Sequence, residues 1–152
     1  MADLEKQPIL TSTSDWRAGQ TLAYVFDFLD GNGGKELRIY MQSSCANGDS
    51  GLPPAEIEKV DILILCAASF QYVEGQPETL IHHLNPELII ISHWDNFFHP
   101  YAEVQANPMK VPFTNMLKYV ERLQKAIVRD SVNGDTIPWI LPNPGTWINI
   151  QY

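Results

Sequence analysis

Cysteine is scarce in this chain: Cys45 and Cys66 are the only two in 152 residues. Two thiols make no disulfide framework, and no Cys-x-x-Cys pair offers a thiolate metal site. Cys66 lies inside an apolar run and reads as a small packed hydrophobe. Positive charge is also thin. Ten Lys and Arg stand against 18 Asp and Glu, for a net charge of -8, and the ten are scattered along the chain. Phosphate binding needs clustered cations, so nucleic acid is not an expected partner. No apolar segment approaches the roughly 20 residues of a membrane span, so no membrane partner is expected either. The opening MADLEKQPILTSTSDW has no basic start followed by an apolar core. It makes no signal peptide, and a cytoplasmic location is the default expectation. There is no G-x-G-x-x-G and no P-loop, so a nucleotide would lack its phosphate cradle. Internal repeats and low-complexity segments are absent too.

What remains is a chain with an ordinary apolar fraction, 45%, and a low charged fraction, 18%. Its length suits one compact domain with a real core, and the shortage of charge leaves room for an apolar contact surface. Residues 1–20 are polar, with Pro8 and a Thr/Ser cluster, and read as a flexible arm; 21–152 read as a single α/β domain. TLAYVFDF (21–28) and LRIYMQ (37–42) alternate in hydrophobicity around the turn residues DGNGG, which predicts a hairpin. VDILILCAA (60–68) and ELIIIS (87–92) are continuously apolar, the pattern of strands covered on both faces. Between them PETLIHHLNP (77–86) carries a helical stripe of Leu80, Ile81 and Leu84, which completes a βαβ unit. AEIEKV (55–60) has the makings of one helical turn. The longest helix is expected over 114–130. Thr114 is its N-cap, Met116, Val120, Leu123 and Ile127 line one side, and Asn133-Gly134 stops it. A last strand or hairpin, broken by Pro142 and Pro144, is expected within 138–152.

Three motifs invite a chemical reading. GDSG (48–51) looks like a serine-protease nucleophile loop, but the α/β pattern is wrong for that fold and no histidine precedes Ser50 to act as its base. DGNGGKELRIYM lacks the glycine and glutamate that a calcium loop needs at its sixth and twelfth positions. His82 and His83 are neighbours on a helix, point in different directions and read as surface residues. The third motif, SHWDNFFHP (92–100), closes an apolar strand with His93, Trp94 and Asp95. In α/β sheets, functional groups gather at the carboxyl ends of strands. His93, Ser69 and the Gln42-Ser43-Ser44 run all sit at such ends, so three strands are expected to face one cleft. A neutral imidazole is a good zinc ligand, and Asp95 could hold its other ring nitrogen. The alternative is that His93 and Asp95 tie down a tight turn.

The strand into RIYMQSS, the run VDILILCAAS, the helix ahead of NPELIIISHWDNFF and the aromatic residues after it together resemble the C-terminal half of metallo-β-lactamase-fold hydrolases. That resemblance implies half of an αββα sandwich, a mixed sheet with helices on one face. It implies that His93 is a metal ligand, and that zinc or another divalent metal serves the full-length family. Two departures matter. The family's His-x-His-x-Asp-His motif and its following histidine are absent, and the place of its metal-bridging aspartate is taken by Ser43 or Ser44. Asp49 is close in sequence but does not match. Catalytic zinc takes about three protein ligands; one histidine, with help from Asp95 or His99, should hold metal weakly or not at all.

Three readings follow. The chain is the C-terminal portion of a metal-dependent hydrolase, inactive alone, whose partner is the missing N-terminal half and whose substrate, once complete, is a small molecule. Or it is a free-standing half-domain that acts as a binding or assembly module, paired with a second copy of itself as a homodimer. Or it is an unrelated α/β domain in which His93 is structural. Packing bears on the first two. Helices 77–85 and 114–130 can cover only one sheet face, so the other should expose several of Ile62, Ile64, Ile89 and Ile91, plus alternating residues of 21–28 and 37–42.

Overall fold

A computed structural model describes residues 22–46, 51–130 and 134–150. The arm expected over 1–20, Asp49 and Ser50 lie outside the described residues.

The backbone is of α/β type, built on a mixed five-stranded sheet. β1 (Ala23–Leu29) and β2 (Lys35–Gln42) form the expected antiparallel hairpin. Its loop is tied by Asp30, whose Oδ1 accepts from the amides of Asn32 at 2.8 Å and Gly34 at 2.7 Å. Gly33 occupies the turn at φ 83°, where a side chain would be strained. β3 (Ile62–Cys66), α1 (Glu78–Leu84) and β4 (Leu88–Ser92) form the expected βαβ unit, its strands parallel. β2 also runs parallel to β3, and the sheet order is β1-β2-β3-β4-β7, with β7 the short strand Trp139–Ile140.

Several expected boundaries move. Residues 55–60 form no helix among the described residues; Pro53-Pro54 lead into a turn closed by the Ile57 amide on the Pro54 carbonyl at 2.9 Å. A short helix, α2 (Tyr101–Ala106), appears after Pro100 in what the sequence leaves as an aromatic run. The longest helix, α3, spans Met116–Ala126 and is capped by Asn115, not Thr114. The Asn115 side chain accepts from the Lys118 amide at 3.1 Å, while Thr114 Oγ1 is occupied with the Ser69 amide at 3.2 Å. α3 ends early at its C-cap Ile127, which is still in helical conformation, because β-branched Val128 turns to extended pairing, which suits it better than a last helical turn. β5 (Val128–Asp130) pairs with β6 (Asp135–Thr136), and the buried Ile137 donates to the Ile127 carbonyl at 2.9 Å. The strand expected within 138–152 is β7 (Trp139–Ile140), parallel to β4.

Strand register separates the two faces of the sheet. Side chains alternate along each strand, and Tyr40 pairs with Leu63, Leu63 with Ile89, and Ile89 with Trp139. These residues, with Val25, Leu65 and Ile91, join the buried cluster formed with Leu80, Ile81 and Leu84 of α1 and Tyr119, Leu123 and Ala126 of α3. The helices therefore cover this face. On the opposite face one row runs Phe26-Ile39-Ile62-Leu88 and the next Tyr24-Met41-Ile64-Ile90-Ile140. None of these nine belongs to the helix-covered cluster. Tyr24 and Phe26 are each 44% exposed and Phe28 is 51% exposed, Ile62 is buried, and the rest are half-buried. The expected exposure is found only toward the β1 edge: of Ile62, Ile64, Ile89 and Ile91, three are buried and Ile64 is half-buried. Ile89 and Ile91 are buried beneath the helices, and their neighbours Leu88 and Ile90 join Ile62 and Ile64 on the open side.

Candidate functional site

The carboxyl ends of β2, β3 and β4 do converge. A cleft of about 420 Å³ is lined by Ser44, Ser69 and His93, with Tyr72, Phe97, Phe98 and Phe113 among its other walls. A hollow of about 510 Å³ over the turn into α3 is larger, but its lining holds no His, Cys, Asp or Glu, so the smaller cleft carries the chemistry.

The backbone around the cleft is unusual. Among the described residues four non-glycine positions have positive φ: Ser69 at 61°, Asn85 at 35°, His93 at 53° and Phe113 at 62°. Asn85 caps α1; the other three all line the cleft. Such positions are costly for bulky side chains and cluster where a site demands a particular direction. The left-handed turn at His93 sends its ring back over the end of β3. Nδ1 lies 3.3 Å from Cys66 Sγ, and the ring packs on Phe97 with centroids 4.8 Å apart. Trp94 anchors the turn, its Nε1 donating to the Pro142 carbonyl at 2.9 Å.

Cys66 is buried, as a packed hydrophobe would be, yet it is not chemically idle. Cys45 Sγ donates to the Cys66 carbonyl at 3.1 Å. The neighbouring Cys45 thiol, assisted by the His93 ring and opposed by burial, brings the Cys66 thiol down to about 6, while Cys45 is pushed up. Nothing in the spacing of residues 45, 66 and 93 signals this row. It arises because β2, β3 and β4 are adjacent and parallel and end together.

The remaining sequence candidates fall elsewhere. Ser43 Oγ donates to the Leu22 carbonyl at 2.8 Å and is not in the cleft lining. Asp95 sits in a bridge to Lys110 and is not the residue that meets His93 Nδ1; that is Cys66. His99 is half-exposed and leans toward Glu103, with Nδ1 3.5 Å from its carboxylate. His82 is exposed as expected, whereas His83 is half-buried, its Nε2 without a hydrogen-bond partner.

A zinc centre can be tested against these positions. Among the described residues no group of three or more His, Cys, Asp and Glu is arranged to hold a metal ion. Cys45, Cys66 and His93 form a row, not a converging set. A catalytic zinc needs about three converging ligands, and these residues do not provide them. The aromatic walls suit an apolar or flat ligand group, with Ser44, Ser69 and His93 as the polar points that would orient it.

No family model, no curated protein and no solved structure matches the chain.

Proposed function

We propose that the chain is the C-terminal portion of a metal-dependent hydrolase of the metallo-β-lactamase type, one layer pair of an αββα sandwich, inactive by itself. One observation carries the reading: the open apolar face ends at the His93 cleft. Cys66 has the alternation of Ile62 and Ile64, so it belongs to the open side of β3, and it touches His93. A second sheet laid on that face would bury the Phe26 and Tyr24 rows and supply the cleft with its missing wall. The mixed sheet with both long helices packed on one side supports the same reading.

The division of labour follows from the residues present. This chain supplies His93 as one ligand, Ser44 and Ser69 as hydroxyl donors where substrate would lie, and Phe97, Phe98 and Phe113 as exposed apolar walls for it to pack on. The other ligands come from the complementary half. Alone, the chain holds zinc weakly and below one ion per molecule, and does not turn over nitrocefin, simple esters or bis-p-nitrophenyl phosphate. Elemental analysis after dialysis, run beside these assays, tests this. A firmly held ion, one per chain and lost in His93→Ala, or turnover that a chelator abolishes, would contradict it. DNA sequencing on the 5′ side of the Met1 codon tests the origin: a segment encoding His-x-His-x-Asp-His there supports it.

A second reading is favoured by the character of the face itself. Its two rows hold no charged residue, so a second copy could meet it about a two-fold axis without opposing charges. The sheet area is roughly 400 Å², from five strands about 4.8 Å apart and about 17 Å of strand length. Three half-exposed aromatic rings add on the order of 300 Å². That approaches the ~800 Å² per partner of a stable interface. In this reading the chain is an assembly module, and sedimentation equilibrium would find a homodimer in the absence of any other half.

A further inference from the structure

We propose that Cys45 and Cys66 are a reversible disulfide-forming pair, whose closure changes the hydrogen bonding of His93 at the cleft. This goes beyond the proposed hydrolase origin and does not depend on it. The geometry is specific to the fold. Met41 pairs with Ile64 in the parallel β2-β3 ladder. Cys66 therefore lies just past the end of that ladder, and Cys45 arrives beside it from the segment following β2. Cys45 Sγ already lies 3.1 Å from the carbonyl oxygen of Cys66, against the residue it would bridge. A disulfide requires the two sulfurs to close to about 2.05 Å, which rotation of the two side chains about this contact would bring about.

The cleft is lined by chain neighbours of the pair and not by the sulfurs themselves: Ser44 precedes Cys45, Ala68 and Ser69 follow Cys66, and all three line it together with His93. An oxidant small enough to pass that lining need not cross the helix-covered core. The packing around the pair favours bridging over further oxidation: Cys66 is 2% exposed and Cys45 packs against the buried cluster, so a sulfur oxidised at either position meets the other thiol before it meets bulk solvent.

The oxidant is a peroxide. Two S–H bonds break and one S–S bond forms; two electrons and two protons pass to hydrogen peroxide, which leaves as two waters. A dithiol returns the protein to its starting state by exchange. The consequence falls on His93. In the reduced protein Nδ1 faces, at 3.3 Å, a Cys66 sulfur that carries a thiol proton or, once that is lost, a full thiolate charge. In the bridged protein the sulfur has neither and is a neutral, weak acceptor, so Nδ1 must carry the hydrogen or lose the contact.

The experiment uses the full chain under native conditions, reduced and then exposed to hydrogen peroxide. Before oxidation both thiols alkylate once the chain is unfolded in denaturant; afterwards neither does. The intact mass falls by two hydrogens, and a single peptide pair joins Cys45 to Cys66. Dithiothreitol restores both alkylations. In Cys45→Ser, Cys66 instead accumulates adducts or higher oxides. His93 is assigned by comparison with His93→Gln; its ring resonances shift on oxidation of the wild-type chain and stay fixed in Cys45→Ser. A bridge between two chains, sulfinic acid at either cysteine of the wild type without a bridge, or an intrachain bridge that leaves the His93 resonances unmoved would overturn the proposal.

Discussion

The two faces of the central sheet are made from the same residue types yet end in different states. On β3, Leu63 and Leu65 are buried beneath α1 and α3. Their neighbours Ile62 and Ile64, one step away, belong to a face that takes no part in that core. The same holds on β4 for Ile89 and Ile91 against Leu88 and Ile90. A sheet designed to meet water on one side alternates apolar with polar residues. This one does not. At its centre it carries strands apolar on both sides, and toward its edge the open face grows more aromatic, through Phe26, Tyr24 and Phe28. Of these two apolar sides, α1 and α3 cover one.

The sharpest way to break the comparison is to truncate one residue on each face. Leu65→Ala should cost about 2–5 kcal/mol, since it opens a cavity under two helices. Ile64→Ala should cost less, about 1–2 kcal/mol in the dissociated chain, because Ile64 is only half-buried there. Urea unfolding at low protein concentration measures both, and equal costs would mean that the open face is closed in solution. The next effect is on association. Ile90→Lys places an unpaired charge at the centre of the open face and should weaken any contact there by about tenfold or more, with the circular dichroism of the chain unchanged. Sedimentation of the variant beside the wild type reads this directly.

Two smaller effects probe the covered side. Asn115→Ala removes the cap of α3 and should cost about 1 kcal/mol in urea unfolding. Arg122 on α3 grips Glu78 on α1 through two bonds, Nε to Oε1 at 2.6 Å and Nη2 to Oε2 at 2.5 Å. Burial raises the Glu78 carboxyl, but the Arg122 hydrogen bond and charge outweigh it and leave the group below its ordinary value of 4.5. The unfolded chain therefore binds the proton more readily. The pair's stabilisation is fully present above about pH 4.5 and is lost as pH falls through the folded value. Each side chain keeps more than a quarter of its surface exposed, so the contribution is discounted to about 0.5–1 kcal/mol. Glu78→Gln should lose that amount at neutral pH and match the wild type's pH trend at the acid end, as urea midpoints across a pH series would show.

Much of this architecture is legible in the residues, for identifiable reasons. The hairpin, the βαβ unit and the convergence of His93, Ser44 and Ser69 follow from turn glycines, from β-branched runs and from strand polarity. The phase of β3 and β4 does not. In Ile62-Leu63-Ile64-Leu65 every position is apolar, so which pair lies beneath the helices is decided by parallel register, a non-local fact. The end of α3 is hidden for a similar reason: Ile127 fits the helical stripe as well as it fits the turn into β5. Asp95 is the nearest carboxylate in sequence to His93, but the left-handed turn at His93 directs the ring toward Cys66, twenty-seven residues earlier. Motif spacing sees neighbours along the chain, and this contact exists only because strands lie side by side.

The central claim is that the open face is a contact surface, and the binding of 1-anilinonaphthalene-8-sulfonate on progressive dilution tests it most directly. The wild-type chain should bind the dye increasingly as any assembly dissociates, and Phe26→Ser with Ile90→Lys should abolish most of that fluorescence while leaving the fold intact. A chain that stays monomeric, binds no dye at any concentration and ignores both substitutions would contradict the account.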